Sequence, residues 1–119
     1  VVFHIPVFPG YLFAKFSPMR KRAVYASEQV ANVLDVFDQD SLLREMENIR
    51  ILLRESDKIE EHPFIAVGRR VRVASGKLKG LEGYVEKFRD KFRVVVSVEM
   101  FRQSVCMEVD PRLLREVDD

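Results

Sequence analysis

The apolar positions change period along this chain, from alternation near the start, to a helical stripe, and back to short alternating runs. From Tyr11 to Phe16, Leu12, Ala14 and Phe16 fall on one face and Tyr11, Phe13 and Lys15 on the other, which predicts a strand. Val1 to Phe8 is also β-like, broken by Pro6, and Pro9-Gly10 marks a turn between the two stretches. Met19-Arg20-Lys21-Arg22 reads as a basic loop or the start of a short helix, Ala23 to Gln29 as a weak helix, and a short strand is predicted within Val30 to Phe37. The clearest helix is predicted over Ser41 to Glu55. There Leu42, Met46, Ile49 and Leu53 form a stripe that Leu43 and Leu52 widen, with Asp40 as the N-cap. Asp40 with Arg44, and Glu47 with Arg50, have the spacing of surface ion pairs. Ser56 to Phe64 is polar, contains Pro63 and reads as a linker.

Beyond Ala66 the pattern is one of short strands. Phe92 to Val98 is dense in β-branched residues, and Val105, Met107 and Val109 face together in the run from Gln103. Arg89-Asp90-Lys91 reads as a hairpin connection, Asp110-Pro111 as the end of the last long strand, and Leu113-Leu114 as the closing segment. The stretch from Val67 to Val85 carries the most information. Val71 and Val73 alternate with arginines, then Gly76, Gly80 and Gly83 follow in quick succession before Tyr84 and Val85 resume the strand. Glycine that dense suits a backbone that bends sharply, takes positive φ or packs against a close neighbour.

That stretch resembles the KOW motif of small β-barrel domains in transcription elongation factors and ribosomal proteins. Upstream, Phe8-Pro9-Gly10-Tyr11-Leu12-Phe13 resembles the corresponding segment of the NusG N-terminal domain. The two motifs in this order make the chain similar to NusG-type transcription elongation and antitermination factors. The resemblance implies an α+β chain: a partial NusG N-terminal α/β sandwich over 1–62, a linker over 63–66 and an SH3-like KOW β-barrel over 67–119. Five strands are expected in the barrel, with Val71, Val73, Val85, Val94, Val96 and Val105 inside. Some relatives of this kind switch the second domain into a helical hairpin, but the β-branched run 94–98 and the three glycines disfavour helix here. The family's first domain opens with a strand and a helix upstream of the Phe8 segment, and neither is present. A chain that begins mid-strand in this way is expected to expose a strand edge and self-associate.

Composition refines this picture only in places. With 47% apolar residues a modest core is within reach, and the formal charge of +1 points to no particular partner. The distribution is uneven: residues 69–93 are locally basic, whereas 94–119 are acidic on balance. A solvated mixed surface explains this better than a dedicated nucleic-acid patch does, and no aromatic stacking platform is evident. A single cysteine, Cys106, excludes an internal disulfide framework and fits a reducing cytoplasm. No apolar run is long enough to span a membrane, and the start does not read as a signal peptide.

Catalytic chemistry finds little support. His4 and His62 lie in different segments, no base is placed near Cys106, no Cys or His pair has metal-ligand spacing, and the glycines do not form a phosphate loop. No enzyme activity and no cofactor are expected. The resemblance instead implies docking. By motif, Phe8 and Tyr11, shaped by Pro9 and Gly10, would contact the clamp helices of RNA polymerase's largest subunit, the alternative being that they are core residues. In the barrel, Met100, Phe101 and Arg102 match a segment that family members present to a ribosomal small-subunit protein or a termination factor. Arg102 stands where the family has glycine, and Phe101 folded over a barrel end is the alternative. A hydroxyl-rich segment that some relatives turn towards the polymerase is absent; the region reads Met19 to Tyr25, whose basic residues are either a solvated loop or a contact for nucleic-acid phosphates. A rival reading is a KOW-containing RNA-binding or ribosome-associated protein using the basic region 69–93.

Overall fold

A computed structural model describes residues 7–65 and 67–117. Their contacts group into two compact units that divide between Phe37 and Asp38. The first unit holds a 3-10 turn at Pro18–Arg20 and helix α1 at Lys21–Ala26. Its remaining described segments are irregular. The expected strands over Tyr11 to Phe16 and within Val30 to Phe37 therefore do not form. Alternation sets which side a residue faces, but a strand also needs a hydrogen-bonded neighbour, and among the described residues these segments have no ladder partner. The reading of Val1 to Pro6 as a strand lies outside the described residues.

Helix α2, Gln39–Leu52, opens the second unit. Its N-cap is Asp38 and not Asp40. The Asp38 carboxylate accepts the Ser41 backbone N–H at 3.0 Å and the Ser41 hydroxyl at 2.7 Å, which satisfies one of the orphan donors of the first turn. These bonds hold its pKa below the usual carboxylate value. Arg44 turns to the Ser41 hydroxyl and makes no pair with Asp40, whereas the Glu47–Arg50 pair forms at 2.9 Å. The buried part of the helix is Ile49, Ile51 and Leu52, while Leu43 and Leu53 are exposed. The apolar stripe is thus turned to the C-terminal end of the helix, and a 3-10 stretch kinked at Glu55 carries the chain to Lys58.

Six antiparallel strands follow: β1 Glu60–His62, β2 Arg70–Val73, β3 Glu82–Phe88, β4 Lys91–Val98, β5 Gln103–Val109 and β6 Leu114–Glu116. They form one sheet in the order β1-β5-β4-β3-β2-β6. The chain is α+β, as expected, and the five strands expected after Val67 are present. A sixth, β1, comes from the segment read as linker: Glu60, Glu61 and His62 pair with Cys106, Val105 and Ser104. No helical hairpin forms over 94–114.

The core lies on one face of this sheet. Val71, Val73, Val94, Val96, Val98, Val105, Met107 and Val109 are buried and share that face by register, joined by Leu81; Val85 is only half-buried. Helix α2 packs against β4. It is pinned by two side chains that accept backbone N–H groups: Asn48 from Glu82 at 2.9 Å and Glu45 from Glu99 at 2.7 Å. The helix therefore belongs with the strands that follow it, whereas the sequence pattern sets the boundary at 63–66. Val95 and Cys106 are fully buried on the opposite face, and β1 pairs alongside β5 with Glu60 opposite Cys106.

Candidate docking surfaces and the glycine loop

Phe8, Pro9, Gly10 and Tyr11 form one tight turn. The Tyr11 N–H donates to the Phe8 carbonyl at 3.3 Å, and Gly10 has φ +86°. Proline at the second position and a positive-φ glycine at the third are the signature of a type II turn, so this backbone follows directly from the sequence. The turn separates the two aromatics that the sequence left undivided. Phe8 is buried, only 6% exposed, whereas Tyr11 is 39% exposed. Leu12, Phe13 and Phe16 continue the exposed apolar series, with Leu12 at 90%. Met19 is exposed beside the basic residues of the next turn, and Lys21 there is tied to Asp35 at 3.1 Å.

The three glycines of the second unit have separate tasks. Gly76 and Gly80 take φ +89° and +93°, in the left-handed region that L side chains rarely adopt. The loop they shape is closed by two bonds, from Gly80 N–H to the Val73 carbonyl and from Val73 N–H to the Leu81 carbonyl, each 2.9 Å. Gly83 instead answers a lack of space. A Cβ there would lie 2.5 Å from the Val95 carbonyl oxygen and 2.8 Å from a Val94 methyl. Strand β3 can lie this close to β4 only with a hydrogen at that position.

Met100 and Phe101 lie in a 3-10 turn, Glu99–Phe101, that links β4 to β5. Met100 is half-buried. The Phe101 side chain lies outside the described part of the structure. Arg102 ends the turn with φ +52° and ψ +53°, and its N–H donates to the Glu99 carbonyl at 3.2 Å. The residue standing where the resemblance puts glycine thus holds the left-handed conformation itself. Its guanidinium lies over the Phe64 ring, 4.5 Å from the centroid, and so ties the turn to the segment after β1.

A polar cluster on the sheet face opposite the core was not anticipated from the sequence. The His62 ring sits between two oxygens: Nε2 is 2.7 Å from Glu86 and Nδ1 is 2.7 Å from the Pro63 carbonyl. Glu86 also accepts from Arg93 at 2.6 Å, and Arg93 reaches Glu60 at 3.9 Å. The Arg93 guanidinium stacks on the Phe88 ring at 4.3 Å, and its Nε is buried without a hydrogen-bond partner among the described residues. Arg93, and less strongly His62, hold the Glu86 carboxyl below its usual pKa, against the opposing effect of burial. On β5, beside β1, burial pushes the Cys106 thiol up. Ser97 and Ser104 complete the cluster: Ser97 donates to the Ile65 carbonyl at 2.7 Å, and the Ile65 N–H donates to the Ser104 hydroxyl at 3.3 Å. These groups fasten β1 and its extension to the sheet. Half of the cluster was within reach of the sequence, since folding the hairpin about Arg89-Asp90 sets Glu86 opposite Arg93. The His62 half required knowing that β1 exists.

Among the described residues no group of His, Cys, Asp and Glu is arranged to hold a metal ion, and no helix is long and apolar enough to cross a membrane. Compared with protein-family models, curated proteins and solved structures, the chain has no match.

Proposed function

We propose that this chain acts in transcription as a NusG-like elongation or antitermination factor, binding RNA polymerase through the first unit and a second partner through a KOW-type barrel. The observation that carries the reading is the pairing of β6 with β2 by way of a 3-10 turn at Pro111–Leu113. That return carries the chain from the end of β5 to the free side of β2, a connection that a small SH3-like barrel also needs, with the Gly76–Gly83 loop between β2 and β3. It supports the KOW resemblance independently of the glycine spacing that first raised it.

The type II turn supports the other half. It leaves Tyr11 partly exposed, followed by exposed Leu12 and Phe13, and a rigid aromatic on a tight turn suits an anchor for a helical partner. Tyr11 rather than Phe8 is then the contact residue on the largest-subunit clamp helices, with Pro9 and Gly10 setting its direction. Met100 and Arg102 belong to the surface offered to a ribosomal small-subunit protein or termination factor. The mechanism is tethering, with no bond made or broken, and the place of action is the cytoplasm. Co-purification of RNA polymerase with the tagged chain tests this. Recovery of the largest subunit that falls with Tyr11→Ala is expected, and equal recovery with wild type and variant overturns the docking assignment.

A further inference from the structure

The contacts of the His62 ring depend on its protonation. Nε2 lies 2.7 Å from Glu86 and Nδ1 lies 2.7 Å from the Pro63 carbonyl. A carbonyl oxygen can only accept, and so can an ionised carboxylate. Neutral imidazole has one N–H and donates to one of the two; its other nitrogen then turns a lone pair on an acceptor oxygen. Both contacts are hydrogen bonds only when the ring carries both protons. Arg93, and then His62 itself, hold the Glu86 carboxyl below its usual pKa, so near neutral pH it has no proton to give. The His62 side chain is only 8% exposed, so water does not readily replace a lost partner.

His62 is the last residue of β1, the short strand that borders β5. Beyond it, Ile65 is fastened by groups that do not titrate: its carbonyl accepts from the Ser97 hydroxyl at 2.7 Å, and its N–H donates to the Ser104 hydroxyl at 3.3 Å. In register beside the ring on this face are Glu60 on β1 itself, Cys106 and Glu108 on β5, Arg93 on β4 and Glu86 on β3. Arg93 opposes a second cation, but Glu86 gives it one oxygen and His62 the other, and Glu60 adds a carboxylate 3.9 Å from Arg93. We propose that His62 is a pH latch: its doubly protonated ring holds β1 on the edge of β5, and loss of one proton lets the strand open about the fastened Ile65. Opening leaves β5 with an uncovered strand edge from Ser104 to Cys106. The sign is opposite to that of a paired carboxylate. A base whose charged form is favoured by folding adds stability that is fully present below its unfolded pKa and is lost as the pH rises through its folded one. The latch therefore loosens as the pH rises through the range, about 5–8, in which histidine changes charge. This inference does not depend on the polymerase reading.

The test is amide hydrogen exchange of the full chain, followed by NMR at about pH 6 and about pH 8.5, with each rate divided by its intrinsic value. The His62 ring is titrated alongside and distinguished from His4 by the His4→Gln variant. Protection over 60–62 should fall about tenfold at the higher pH, while Ile65 and the β3–β4 ladder keep theirs. His62→Gln should leave β1 weakly protected at both pH values. Glu86→Gln keeps an acceptor but removes the charge, and should move the midpoint of the ring's titration to lower pH. If His62→Gln loses its fold, Glu86→Gln and the wild-type titration still decide. Equal protection of 60–62 at both pH values, an equal fall across all strands, a fall that His62→Gln retains, or a ring midpoint that Glu86→Gln leaves in place would each overturn the proposal.

Discussion

Gly83 and Arg102 each reverse the usual relation between residue type and backbone. Gly83 has no special φ, yet it alone fits, because the Val95 carbonyl stands 2.5 Å from where a Cβ would go. Arg102 has the left-handed φ that glycine favours and is not glycine; Arg89, in the β3–β4 turn, is the same, with φ +60°. The costs differ in kind. A methyl at 83 meets backbone, which cannot rotate away, so Gly83→Ala should lower unfolding stability by about 2 kcal/mol or more, read from urea denaturation. At Arg102 the left-handed conformation costs roughly 1–2 kcal/mol, and glycine's looser unfolded state returns part of any gain. Arg102→Gly should therefore raise stability by at most about 1 kcal/mol, less whatever the stacking on Phe64 contributes. A loss with Arg102→Gly in the same assay would mean that this stacking outweighs the backbone strain.

At the scale of elements, what could be read in advance was what depends on neighbours in sequence. Helix α2, the runs that became β3 to β5 and the Pro9-Gly10 turn each carry a local signal, a period or a turn pair, and each formed. The misses depend on distant partners. Tyr11 to Phe16 alternates like a strand and has no ladder, while Glu60–His62 lacks β-branched residues and is a strand because β5 offers it an edge. The same dependence makes β1 sensitive to acid. Glu86 bridges His62 and Arg93, and its folded pKa lies below the ordinary value of 4.5. A carboxylate whose pKa is depressed by folding adds stability that is fully present above its unfolded pKa and is lost as pH falls through its folded one. Stability should thus decline below about pH 4.5 with a component that Glu86→Gln removes, measured as the slope of the unfolding free energy against pH. Amide exchange at Glu60 to His62 should quicken over the same range, and an unchanged slope in Glu86→Gln would show that the cluster contributes nothing to the acid limb.

For the whole molecule, the candidate sites divide between the two compact units, the Phe8 turn in one and the glycine loop and the Met100 turn in the other. The sequence named all three by motif. It could not name the polar cluster about Glu86, whose His62 half exists only because β1 pairs with β5. Nor could it separate Phe8 from Tyr11, since both are aromatic and only the turn places one inside and one outside. That separation gives the sharpest expectation for the molecule. Phe8→Ala removes a buried ring and should cost about 3–5 kcal/mol of stability, if the first unit is held by that side chain. Tyr11→Ala should cost less stability than Phe8→Ala, since Tyr11 is the more exposed, and should weaken the proposed polymerase binding by about 2 kcal/mol, roughly thirtyfold in Kd. The two effects should appear in different assays, thermal unfolding for one and titration with the polymerase clamp helices for the other. If Phe8→Ala keeps its stability and loses binding while Tyr11→Ala does the reverse, the assignment of inner and outer aromatic is inverted. If neither variant changes either quantity, the proposed polymerase contact at the Phe8 turn is overturned.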